Sequence, residues 1–129
     1  MQDRPTAHEL LTAVRRFLEE EIVPHTEGQR QFLARVAANT LAIVDREIAL
    51  EEEHLRREWQ GLQALLGPEE TPPTRAALRA AVRRRTEELC ARIRAGEADE
   101  GPWAEAVLAH VRATVRDKLS VTNPGLLAE

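Results

Sequence analysis

From Gln29 to Gln60 the chain runs 32 residues without a single glycine or proline. Apolar residues recur through that stretch at helical spacing: Phe32, Leu33, Val36, Ala37, Thr40, Ile43, Val44 and Ile48 fall on one face. Nothing but a helix, or two helices in tandem, fits such a run. A break near Leu50 is the alternative to one long helix, because the face turns polar there. A further segment with Leu55, Trp59, Leu62, Leu65 and Leu66 runs to a stop at Gly67-Pro68.

The flanking segments read the same way. Thr6 and Glu9 make a capping-box pattern ahead of Leu10, Leu11, Val14, Phe17, Leu18 and Ile22, and Pro24 closes that helix. Thr26 and Gln29 suggest a second capping box. Gly67 to Thr74, with three prolines, is a loop too short to link domains. Leu78, Val82, Leu89 and Ile93 stripe the next helix, which Gly96 ends. Gly101-Pro102 opens the last, whose inner face is expected to be Trp103, Val107, Val111, Thr114 and Val115. The expected fold is all-α, a single bundle of four to five helices with one long central helix, forming one domain over residues 1–129.

Composition narrows the function classes. One cysteine, Cys90, excludes an intrachain disulfide and is expected to pack as a small apolar residue. No apolar run is long enough for a membrane span and the first residues do not read as a signal peptide, so no membrane partner and a cytoplasmic location are expected. Residues 1–70 hold 14 acids against 8 bases, while residues 71–129 hold 8 against 10. The arginines Arg75, Arg79, Arg83, Arg84, Arg85, Arg92 and Arg94 are spread around their helix, with stems expected over the core and heads either in water or paired with the acidic first half. No aromatic residues interleave with them, so no nucleic-acid partner is expected. Gly-rich phosphate loops, nucleophile elbows and cysteine pairs are lacking, and no catalytic residue or cofactor is expected.

One polar constellation stands out. Glu47 projects into the middle of the apolar arc around Val36, Thr40 and Ile43. Glu51 and His54 continue that face, with Asn39 and Arg46 at its edge. Lys118 falls within the arc of Val107, Val111 and Val115, with His110 at its border. A charge facing a core must be paired, so Glu47 and Lys118 each need a partner and could be each other's. The set Asn39, Arg46, Glu47, Glu51, His54 and Lys118 is thus a candidate ion-pair network or a polar pocket. Glu51-x-x-His54 matches half of a di-iron bundle pattern, but no second such step exists, and no metal is expected.

Several stretches occur together: Arg4-Pro5-Thr6-Ala7-His8-Glu9-Leu10-Leu11, Arg35-Val36-Ala37-Ala38-Asn39 with Arg46-Glu47, Leu89-Cys90-x-x-Ile93-Arg94-x-Gly96, and Thr114-Val115-Arg116-Asp117-Lys118-Leu119 with Asn123-Pro124. In these the chain resembles a bacterial domain-of-unknown-function family of small helical proteins. Members of that family are often encoded beside, and sometimes joined to, aminoglycoside-phosphotransferase-like kinases and acyl-CoA dehydrogenases. The resemblance implies a non-catalytic helical accessory or interaction protein in acyl-CoA or phosphotransferase-linked catabolism. The alternative is a small ligand-binding or enzymatic bundle using a pocket around Glu47 and Lys118. A homodimer is expected on a separate ground, that Leu55, Trp59 and Leu62 would expose apolar area on the long helix.

Overall fold

The computed structural model describes residues 3–128. Four α-helices account for most of them: α1 (Ala7–Phe17), α2 (Gly28–Leu66), α3 (Arg75–Arg94) and α4 (Pro102–Thr122), with no strand among the described residues. A π-helical turn at Leu18–Ile22 and a 3-10 turn at Val23–His25 follow α1, and a 3-10 turn at Pro124–Leu127 follows α4. The fold is all-α. Helix α2 passes Leu50 without a break, so the long helix is real.

Two compact units divide the chain, one up to Ala49 and one from Leu50 onward. In the first, α1 and the first half of α2 form an antiparallel hairpin. The Thr6–Glu9 capping box starts α1: Glu9 N–H donates to Thr6 Oγ1 at 3.2 Å, and Thr6 N–H donates to Glu9 Oε2 at 2.7 Å. The hairpin is held at one end by His8 Nδ1, 2.8 Å from Asp45 Oδ1, and at the other by Gln31 Nε2 donating to Val23 O at 3.0 Å. Thr26 does not cap α2 as its spacing suggests. Its hydroxyl turns back to donate to Ile22 O at 2.7 Å, and α2 begins at Gly28.

The hairpin's inner face is unusually thin. Its buried residues are Ala34 and Ala38. The apolar face expected to point inward on α2 points outward instead: Phe32 is 64% exposed, and Leu33, Val36, Val44 and Ile48 are exposed with it. Leu10, Val14 and Phe17 on α1 are exposed too. Helical periodicity says which face must leave water; it is silent on whether the same chain does the covering.

The second unit holds a conventional core. Trp59, Leu62, Leu78, Ala81, Val82, Leu89 and Val107 are buried together, with Leu55, Leu65, Leu66, Ala98 and Trp103 packed against them. Trp59 and Leu62, expected to lie at a dimer surface, are instead its centre, at 2% and 0% exposure. Both indoles find acceptors: Trp59 Nε1 donates to Thr71 Oγ1 at 3.0 Å and Trp103 Nε1 to Leu65 O at 3.2 Å. Cys90 is half-buried and unpaired.

Arg85 follows the second of the two expectations for these arginines and pairs with an acid of the first half. It is buried, with Nη1 donating to Glu69 Oε2 at 3.1 Å and Nη2 to the Gly67 carbonyl. Gly67 ends α2 with φ at 101°, a left-handed conformation open to glycine. The guanidinium thus satisfies backbone that α2 leaves unpaired where it stops. At the start of α3, Thr74 Oγ1 accepts from Ala77 N–H at 3.2 Å.

Candidate functional site

The six candidate residues are divided between the units. Asn39, Arg46 and Glu47 belong to the first; Glu51, His54 and Lys118 belong to the second. Glu47 and Lys118 are both exposed, so neither faces a core as expected. Arg46 is half-buried and has a polar partner. Asn39 lines a cavity of about 310 Å³ with Glu19, Val23, Arg35, Ala38 and Ala42, beside the π-helical turn.

In the second unit, Glu51 and His54 enter separate networks. The Glu51 carboxylate pairs with Arg79 and lies 3.8 Å from Arg75 Nη1, while Arg75 Nη2 donates to Glu52 Oε2 at 3.3 Å. His54 Nε2 sits 3.9 Å from Asp117 Oδ1. That same carboxylate accepts from Arg57, which also pairs with Glu53. Glu51 and Asp117 keep only 17% and 15% of their side chains exposed, so these are partly shielded pairs. Among the described residues no group of three or more His, Cys, Asp or Glu is placed to hold a metal ion.

Helix α4 presents a site of another kind. Leu108, Val111 and Val115 form an exposed stripe along it, and Leu119 continues that stripe half-buried. Val111, Val115 and Leu119 of that stripe line a groove of about 520 Å³ with Arg112, Ala113, Arg116 and Leu127, and Leu126 is exposed in the turn beyond α4. At 100° per residue, Arg112 and Arg116 flank the stripe on one side and Lys118 on the other. No ion pair engages these three cations among the described residues. Val111 and Val115, expected on the inner face, are this stripe; Val107, one turn earlier and at its edge, is the residue that reaches the core. Arg112 and Arg116 were missed as site residues. Their signal was legible in the wheel, which places both beside Val111 and Val115.

Opposite that stripe, α4 meets α2 at close range. A Cβ on Gly61 would stand 2.3 Å from His110 Nδ1. Burial pushes the His110 imidazole below its ordinary value, while the Glu58 carboxylate pulls it back up.

These features define an all-α protein with several ion pairs between its helices and exposed apolar stripes along them. The chain belongs to the family described as a domain of unknown function, DUF6285, whose model matches residues 24–126. No curated protein and no solved structure matches it. No helix among the described residues is long and apolar enough to cross a membrane.

Proposed function

We propose that the protein is a non-catalytic helical accessory protein, and that its α4 groove receives an amphipathic helix of a partner enzyme. The observation that carries this reading is the stripe Leu108, Val111, Val115, Leu119 between Arg112 and Arg116 on one flank and Lys118 on the other. Apolar anchors at i, i+3, i+7 and i+11 suit helix-in-groove docking, and cations on both flanks select a helix bordered by acids. The partner is an aminoglycoside-phosphotransferase-like kinase or an acyl-CoA dehydrogenase, in keeping with the family the sequence resembles. In this reading the chain acts in acyl-CoA or phosphotransferase-linked catabolism, in the cytoplasm.

The test is co-purification of the tagged chain with each enzyme. Capture of either by the unaltered chain, lost on charge reversal at Arg112 and Arg116, supports the reading. Failure of both enzymes to bind at low salt overturns it, since exposed cations act most strongly there.

A second reading, a small-ligand pocket, draws on one observation. Asn39 lines the first unit's cavity with Glu19 and Arg35, three side chains with hydrogen-bonding heads beside a π-helical turn, and such turns gather at functional sites. Stabilisation of the chain by a metabolite, abolished in Asn39→Leu, would move this reading ahead of the first.

A further inference from the structure

The middle of the α1–α2 hairpin is built unlike its ends. At the ends, polar groups of the two strands of the hairpin meet: His8 with Asp45, and Gln31 with the Val23 carbonyl. That register places Arg15 alongside Ala38 and Asn39, and Glu19 alongside Arg35. Here the polar groups do not meet. Arg15 Nε lies 3.9 Å from Glu19 Oε1, too far for a hydrogen bond, and is enclosed by protein without a partner. Thr12 Oγ1, one turn earlier on α1, is enclosed and unpartnered too. Among the described residues no hydrogen bond or ion pair engages the side chain of Arg35 or Asn39. Between these groups α2 presents only alanine, at positions 38 and 42, and the space left open is the cavity of about 310 Å³.

A carboxylate and a guanidinium thus line one small cavity without touching each other. Nothing in the fold rewards that arrangement, because an enclosed polar atom without a partner raises the energy of the folded state. The charges also choose a ligand. A simple anion is drawn by Arg35 and repelled by Glu19, and a simple cation meets the reverse. A molecule carrying both signs is matched at both.

We propose that this cavity binds a small zwitterion of the α-amino acid class, its carboxylate on Arg35 and its ammonium on Glu19. The Asn39 amide donates to the same carboxylate, and Val23, Ala38 and Ala42 form an apolar wall for a short side chain. About 310 Å³ is at the small end of ligand sites, which suits such a molecule and is too little for a nucleotide. The inference rests on the small-ligand reading of this cavity and names its ligand; it is independent of the α4 groove.

The test is a titration of the isotope-labelled full chain, followed by amide NMR at low salt, where exposed charges act most strongly. L-serine and L-alanine carry both charges, propionate lacks the ammonium, and ethylamine lacks the carboxylate. The two amino acids are expected to shift amides of residues 15–23 and 35–42 saturably, with a Kd of about 1 mM or tighter. Propionate and ethylamine are expected to bind about tenfold more weakly or less, each having lost one charged contact. Glu19→Gln should weaken L-serine by a similar factor and leave propionate unchanged, while Arg35→Met weakens both. Glu19 and Arg35 are exposed, so helical circular dichroism should be retained, and the comparison of probes on the unaltered chain needs neither variant. Propionate binding as tightly as L-serine overturns the zwitterion but keeps the cavity as a ligand site. Shifts confined to other residues, or no saturable shift with either amino acid, overturn the proposal. The broader small-ligand reading falls separately, if no metabolite stabilises the chain in a manner that Asn39→Leu removes.

Discussion

Gly61 and His110 lock together: the imidazole of one helix occupies the space where any other residue on the facing helix would put its Cβ. Alanine at position 61 improves helix propensity by up to about 1 kcal/mol, yet it must displace a half-buried ring. Overpacking of that kind costs about 1–3 kcal/mol. We expect Gly61→Ala to lower stability to urea by about 1 kcal/mol net. Shortening the opposing side chain in the same background, His110→Ala, should relieve the clash, so the two changes together cost less than their separate losses added.

The same histidine sets a pH dependence. Burial favours its neutral form, so its folded pKa lies below the unfolded value near 6.5. The unfolded chain then binds the proton more readily, and stability rises with pH through that window. The contribution is complete above about pH 6.5 and fades as pH falls toward the folded pKa. Thermal melts between pH 7.5 and 5.5 should show a decline that flattens in His110→Asn. An unaltered slope in that variant would assign the decline to other groups.

Arg85 is expected to be the most costly polar side chain to remove. Its loss leaves Glu69 without that partner and the Gly67 carbonyl unmet where α2 ends. Breaking a buried charge contact of this sort costs about 3–5 kcal/mol, and the half-exposed state of Glu69 puts the expectation at the low end. Arg85→Met, which keeps the stem, should lower the urea midpoint strongly. Arg84→Met, which removes the other Glu69 pairing from an exposed residue, should lower it by less than about 1 kcal/mol.

At the other end of the chain, Thr6→Ala removes the cap of α1. Caps of this type contribute about 0.5–2 kcal/mol. Amide exchange in the first turn of α1 should accelerate, with little change in α3 or α4. Equal acceleration throughout would show that the hairpin and the second unit unfold as one.

Much of this architecture was legible in the residues. The capping box at Thr6 and Glu9, the unbroken run to Gln60, the stops at Gly67 and Gly96 and the start at Pro102 all rest on local rules, and local rules are read from local sequence. Thr26 misled because a hydroxyl can bond backward to Ile22 as well as forward to an amide. The direction of the apolar faces was not legible. Val36 and Trp59 both read as residues that must leave water, yet one is open to solvent and the other is sealed in the core. Pairing between distant residues escaped for a related reason. That Glu51 meets Arg79 while His54 meets Asp117 depends on how helices dock, and a helical wheel drawn for one helix cannot contain it.

A hairpin whose buried residues are Ala34 and Ala38 has little interior of its own with which to resist opening. Its persistence then becomes a matter of mass action. Whatever covers the stripe on α2 deepens the folded state of that segment by about 1.4 kcal/mol for each tenfold rise in its concentration above its dissociation constant. Dilution alone would loosen it, with no change of temperature, acidity or sequence. Cellular abundance would then act on this protein as a structural variable, setting how much of the first unit is folded at any moment.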